Sequence, residues 1–84
     1  VEKLYRLMDG KAEALEFRVD KKAECVGVPL KELKLKPNLL IASIMRGDSH
    51  IIPRGDDTIE ADDRVIVITK NHRLRDLDDI LLRR

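Results

Sequence analysis

The stretch LLIASIMRGDSHIIPRGDDTIEADDRVIVIT, residues 39–69, decides the fold. Leu39–Met45 is a nearly continuous apolar run broken only by Ser43, which predicts a central strand covered on both faces. Gly47-Asp48 separates it from Ser49–Ile52, and a two-residue Gly-Asp loop between such runs signals a hairpin. Pro53-Arg54-Gly55-Asp56-Asp57 is turn material. Arg64–Thr69 then reads as a strand of β-branched residues, Val65, Ile66, Val67 and Ile68.

Working outward from this stretch, Ala12–Val19 alternates, with Leu15, Phe17 and Val19 on one side and Glu16 and Arg18 on the other, so it predicts a half-buried strand. Val1–Met8 carries apolar residues at 1, 4, 5, 7 and 8, a helical stripe that Asp9-Gly10 would end; it reads as the tail of a helix beginning before residue 1. Asp20–Val28 is polar and reads as a loop. Pro29–Leu33 suits a short helix with Leu30 and Leu33 on one face, and Pro37-Asn38 resets the chain. His72–Leu82 places Leu74, Leu77, Ile80 and Leu81 on a helical face, with Asp76, Asp78 and Asp79 outward and Asn71 as N-cap. The expected fold is α+β, a small mostly antiparallel β-sheet with helices packed on one face in a two-layer sandwich.

The chain's 84 residues suffice for one domain. A domain of this size buries only about 60–65% of its extended-chain surface, which favours stabilisation by a second copy. Basic and acidic residues balance, 17 against 16, for a net charge of +1, which argues against a nucleic-acid binder. The aromatics Tyr5 and Phe17 are too few for base stacking. No apolar run approaches the roughly 20 residues that span a bilayer. Nothing at the N-terminus resembles a signal peptide, and a first residue of Val suggests a piece of a longer protein.

Chemistry-bearing groups are scattered. Ser43 and Ser49 sit in no nucleophile elbow, and no Gly-rich phosphate loop occurs. His50 and His72 lack ligand spacing; His50 reads as a strand-face or turn histidine. Cys25 stands alone, which fits a reducing compartment and a small buried side chain. The acidic group Asp56, Asp57, Glu60, Asp62 and Asp63 invites a calcium reading but lacks EF-hand spacing, so it reads as a turn whose side chains cap backbone N–H groups. Lys31, Lys34 and Lys36 flank the short helix and mostly solvate it, with an anion contact as the sharper reading.

Taken together, residues 39–68 resemble the signature of the TrkA C-terminal domain, also called the RCK C-lobe, of bacterial TrkA-type potassium-uptake regulators. The shared features are an apolar strand, an Arg-Gly hairpin (Arg46-Gly47), Ile-x-Pro (Ile51-Ile52-Pro53), a Gly-Asp turn (Gly55-Asp56) and an acidic turn before the last strand. Gly27-Val28-Pro29-Leu30-Lys31-Glu32-Leu33 is similar to the family's Gly-x-x-Leu-x-Glu-Leu helix. The resemblance runs from about residue 11 to 80, which frames residues 1–10 as a helix tail or linker and 11–84 as the domain. Asp62 stands where the family usually has Gly, and Asp57 where it often has Thr. Aspartate tolerates positive φ, so the turn should survive.

The resemblance implies a regulatory module, not an enzyme. It would sit in the cytoplasm, held at the inner face of the plasma membrane by a membrane-embedded potassium transporter subunit. In the family a separate first lobe binds NAD(H) or adenine nucleotide through a Gly-rich fingerprint absent here, so no cofactor is expected on this chain. C-lobes pair as homodimers, and in some members the cleft between two copies binds cyclic di-AMP. The matching positions are Asn38, Leu39, Leu40 and Ile41, with Lys34 or Lys36 standing for the arginine that meets the phosphate. The C-terminal Asp76–Leu81 resembles the final helix of full-length TrkA proteins, as in the last C-lobe of a parent chain. Two alternatives follow from the same likeness: a C-lobe of another cation or anion transporter, and a purely structural dimerisation domain.

Overall fold

Strand formation follows the hydrophobic alternation, and register decides which side chains become core. The computed structural model describes residues 1–70 and 73–82. It contains five strands: β1 (Lys3–Leu7), β2 (Ala12–Arg18), β3 (Leu39–Arg46), β4 (Ser49–Ile51) and β5 (Arg64–Thr69). They form one antiparallel sheet in the order β1-β2-β5-β3-β4. The expected small antiparallel sheet is therefore present. Helical structure among the described residues is confined to three 3-10 turns, Met8–Gly10, Leu30–Glu32 and Leu77–Ile80.

The pairing of β2 with β5 sets Leu15 opposite Val67 and Phe17 opposite Val65, all buried on one face. β3 joins the other side of β5 and carries a bulge at Ala42, where pairing steps from Ile41↔Val67 to Ser43↔Ile66. The extra residue is absorbed there. Ile41 and Ile44, three apart, therefore both point into the core, while Leu40, Ser43 and Met45 point out. The inner face is closed by Val19, Cys25 and Ile59 and by Leu74, Leu77 and Ile80, which share one apolar cluster with Leu15, Phe17, Val65 and Val67. Cys25 is fully buried, as its solitary position suggested. Burial pushes its thiol up to about 12, with the Asp78 carboxylate adding to the effect, so it holds no reactive thiolate near neutral pH.

Three expectations are corrected. First, the central strand is β5; β3 lies fourth, and its outer side is open, with Leu40 60% exposed. An unbroken apolar run looks doubly covered, but the bulge divides its residues between a closed and an open face. Second, residues 3–7 form a strand paired with β2 and not a helix tail. Asp9-Gly10, read as a helix stop, is a hairpin turn in which Met8, Asp9 and Gly10 all have positive φ, 53°, 56° and 84°. Asp-Gly between apolar runs carries that alternative meaning. Third, the long C-terminal helix is absent among the described residues; only Leu77–Ile80 turns, as 3-10. The aspartates assigned to its outer face bind backbone instead. The Asp79 carboxylate accepts the N–H groups of Arg75 and Asp76 at 2.8 and 3.0 Å, and Asp78 accepts those of Glu24 and Cys25 at 2.9 and 3.3 Å. Short acidic side chains compete with helical hydrogen bonding in this way. Leu81 then pairs with Leu35 in an isolated bridge. The proposed Asn71 cap and His72 lie outside the described residues.

Candidate functional site

The outer face of the sheet is read directly from the register. Tyr5 lies opposite Ala14, Ala14 opposite Ile68, and Ile68 opposite Leu40. This apolar row crosses four strands at the end of the sheet nearest the Met8–Gly10 turn. Beside it lies a shallow, largely apolar recess lined by Met8, Asn38, Leu39, Leu40, Ile68 and Lys70. Two of these residues hold uncommon backbone conformations: Met8 at φ 53° and Asn38 at φ 63°. Asparagine visits this region readily, whereas methionine is strained there. Met8 is nevertheless 62% exposed over the recess. The Asn38 carbonyl accepts the Lys70 N–H at 2.9 Å, fixing the rim. A strained, exposed apolar residue beside an open apolar recess is an arrangement found at binding sites.

Of the six residues assigned from the sequence, the recess gathers Asn38, Leu39 and Leu40. Ile41 points inward and is buried. Lys34 and Lys36 belong to a segment tied to the C-terminal turn: the Lys34 carbonyl accepts the Leu82 N–H at 2.8 Å, and the Lys36 N–H donates to Ile80 at 2.9 Å. The cation at the rim is Lys70. Met8, Ile68 and Lys70 escaped the sequence reading because their proximity to Asn38 depends on cross-strand register. The adjacency of β5 to both β2 and β3 was the missing information.

The acidic turn is occupied by internal contacts. Arg46 donates from Nε to Asp63 Oδ1 at 2.9 Å, from Nη2 to Asp63 Oδ2 at 2.8 Å, and from Nη2 to the Thr58 carbonyl at 2.9 Å. Asp63 Oδ2 also accepts the Glu60 N–H at 2.8 Å, and Asp57 accepts the Arg54 N–H at 2.7 Å. Glu60 takes the Thr58 hydroxyl, Asp56 meets Lys31 Nζ at 2.6 Å, and Asp62 lies 3.6 Å from Arg18. Asp57 and Asp63 thus cap backbone N–H groups as expected of a turn, whereas Asp56, Glu60 and Asp62 meet side chains instead. Burial alone would raise the Asp63 carboxyl; the bonds from Arg46 and the Glu60 N–H outweigh it and hold it below the ordinary aspartate range. Asp62 adopts φ 69°, the positive value anticipated for it. On the outer face, Ser43 Oγ and His50 Nε2 lie 2.6 Å apart, so His50 is a strand-face residue linking β4 to β3.

These features define a small antiparallel-sheet domain with one closed face and one open face crossed by an apolar row. The chain belongs to the TrkA-C domain family, which it matches over residues 14–82. It is 33% identical over 72 residues to a Trk system potassium uptake protein TrkA homolog 1 of Methanosarcina mazei, covering 86% of this chain and 18% of that protein. It is 38% identical over 71 residues to the Trk system potassium uptake protein TrkA homolog of Pyrococcus abyssi, covering 83% of this chain and 31% of that one. It is also 29% identical over 68 residues to the K(+)/H(+) antiporter NhaP2 of Shewanella baltica, covering 81% of this chain and 12% of the antiporter. The chain thus spans under a third of the length of each of these relatives. Archaeal proteins stand prominently among them, so the likeness is not one to bacterial regulators in particular. No helix among the described residues is long and apolar enough to cross a membrane.

Proposed function

We propose that this chain is the regulatory, ligand-binding and self-associating module of a Trk-type potassium-transport system, without enzymatic activity of its own. It would act from the cytoplasm, peripheral to the inner face of the plasma membrane, on a membrane-embedded potassium transporter subunit. Family membership and the names of the TrkA relatives support the potassium assignment. The observation that carries the binding role is the open recess rimmed by Asn38, Leu40 and the strained Met8. Two copies meeting there form a cleft with an apolar bed and an amide and an ammonium group at its edge. That set suits a small nucleotide, with cyclic di-AMP the first candidate: the bed takes a base, and Asn38 and Lys70 offer donors to phosphate. NAD(H) or adenine nucleotide belongs to the first lobe of a longer parent. A ligand in the cleft acts by binding one arrangement of the two copies more tightly than another.

Thermal shift on the chain tests this. A ligand at 100 times its Kd stabilises by about 2.7 kcal/mol, or more than about 10 °C for a domain of this size. Cyclic di-AMP should produce such a shift, and Asn38→Ala with Lys70→Ala should abolish it. No shift with cyclic di-AMP, other nucleotides or divalent cations would leave a structural dimerisation domain in its place. The match to the K(+)/H(+) antiporter favours a second reading, a regulatory lobe of a cation/proton exchanger. Rubidium uptake against proton-coupled exchange, measured in cells whose parent protein lacks the module, separates the two.

A further inference from the structure

The two edges of the sheet differ in how they are closed. At one edge β4 has three residues and is followed closely by Pro53, which cannot donate to another strand. At the other, β1 offers five exposed or half-exposed residues, and the Glu2 N–H donates to the Glu16 carbonyl at 2.7 Å, extending its inner pairing by one residue. Its outer side has no partner strand among the described residues. Leu4, which lies opposite Leu15 in the register, is still 49% exposed. Glu2 and Arg6 form no ion pair among the described residues, although Arg6 stands opposite Glu13 in the register.

We propose that β1 is a self-recognition edge: two copies of the chain pair their β1 strands antiparallel, centred on Leu4. The sequence distinguishes this register from its neighbours. Centred on Leu4, each Glu2 faces an Arg6 and each Lys3 faces a Tyr5. Centred on Tyr5, Lys3 faces Leu7 and Arg6 faces Leu4, and no charges pair. Centred on Lys3 or on Arg6, like charges meet directly, which is destabilising. In the Leu4 register Glu2, Leu4 and Arg6 share one face by strand alternation, giving two ion pairs flanking a leucine contact. On the other face the Lys3 stem and ammonium lie over the Tyr5 ring. Lys3 and Arg6 blunt the edge against strands at large, and Glu2 makes it complementary to itself. The contact joins two five-stranded sheets edge to edge. It lies at the far side of the sheet from β3 and does not depend on the cleft described above.

Cysteine cross-linking tests the pairing, because buried Cys25 leaves the parent chain without an accessible thiol. Under diamide, Leu4→Cys should form disulfide-linked dimers at least about tenfold faster than Ile52→Cys, an exposed position on the opposite edge. Adding Glu2→Arg should slow linking about tenfold, since two attractive pairs become repulsive, and Glu2→Arg with Arg6→Glu should restore it. Far-UV dichroism verifies that each variant is folded. Equal rates for Leu4→Cys and Ile52→Cys, or no rescue by the double reversal, overturns the proposal. Leu40→Asp, which disrupts the outer-face cleft, should leave the Leu4 link intact; if it abolishes the link, the contact belongs to the cleft dimer and the edge pairing is wrong.

Discussion

Asp63 shows how one buried charge organises a turn. Its carboxylate is 1% exposed, yet both oxygens are bonded, to Arg46 and to the Glu60 N–H. Replacing Arg46 by Met strands that charge. Breaking a buried pair costs about 3–5 kcal/mol, and because Arg46 is 42% exposed the loss should be smaller, about 2–3 kcal/mol at pH 7. The pH dependence has a definite sign. The folded Asp63 carboxyl is held below the ordinary aspartate value of 3.8, so its contribution is present above that pH and lost as pH falls through the folded value. In Arg46→Met, burial is opposed only by the Glu60 N–H and pushes the carboxyl up. The variant's deficit should therefore be smaller at pH 3 than at pH 7; urea melts at the two values, showing an equal or larger deficit at pH 3, would contradict this. Its neighbour Asp62 gives the opposite prediction. It holds φ 69° with only an exposed contact to Arg18 at 3.6 Å, so little is lost with its side chain. Asp62→Gly should raise stability by about 0.5–1 kcal/mol by relieving left-handed strain, read as a higher urea midpoint with unchanged slope.

At the scale of elements, legibility followed how local each signal was. β2, β5 and the Gly47-Asp48 hairpin were clear because period-two alternation and turn chemistry are written within a few residues. β1 was misread because Leu4, Tyr5, Leu7 and Met8 fit a helical stripe as well as a strand, and only pairing with β2 decides between them. The C-terminal turn was misread because periodicity does not register that Asp78 and Asp79 capture backbone N–H groups. The site was half legible: Asn38–Leu40 lie in β3 and its approach, whereas Met8 and Lys70 arrive through register. The bulge supplies a test of register itself. Deleting Ala42 leaves Ile41, Ser43 and Ile44 in regular in-out-in alternation against Val67, Ile66 and Val65. That variant should remain folded, losing about 1 kcal/mol or less with the altered strand twist. Deleting Ile66 from β5 sets Val65 and Val67 on opposite faces of the central strand and should abolish cooperative unfolding. Thermal melts of the two deletions separate these outcomes, and similar behaviour in both would refute the assigned register.

At the scale of the whole molecule, the single chain already reaches the dimensions of a folded domain. Its radius of gyration is 12.0 Å, matching the about 12 Å expected for a compact domain of this length. A second copy is therefore not needed to collapse the chain, and a cleft dimer would contribute by covering the outer face. That face places Leu40 and Ile68 side by side beside Met8, in a domain whose small size leaves little stability in reserve. If two copies close over it, association is linked to folding and the melting temperature rises with protein concentration. Leu40→Asp combined with Glu2→Arg, which breaks the β1 pairing as well, should remove this dependence. Because the Leu40 side chain faces out of the sheet and contributes little to the core, that double variant should melt cooperatively at one temperature across a hundredfold dilution series. The parent chain should melt progressively higher as it is concentrated. A parent chain whose melting point ignores concentration would show the outer face to be self-sufficient, and any ligand would then have to be held by one copy alone.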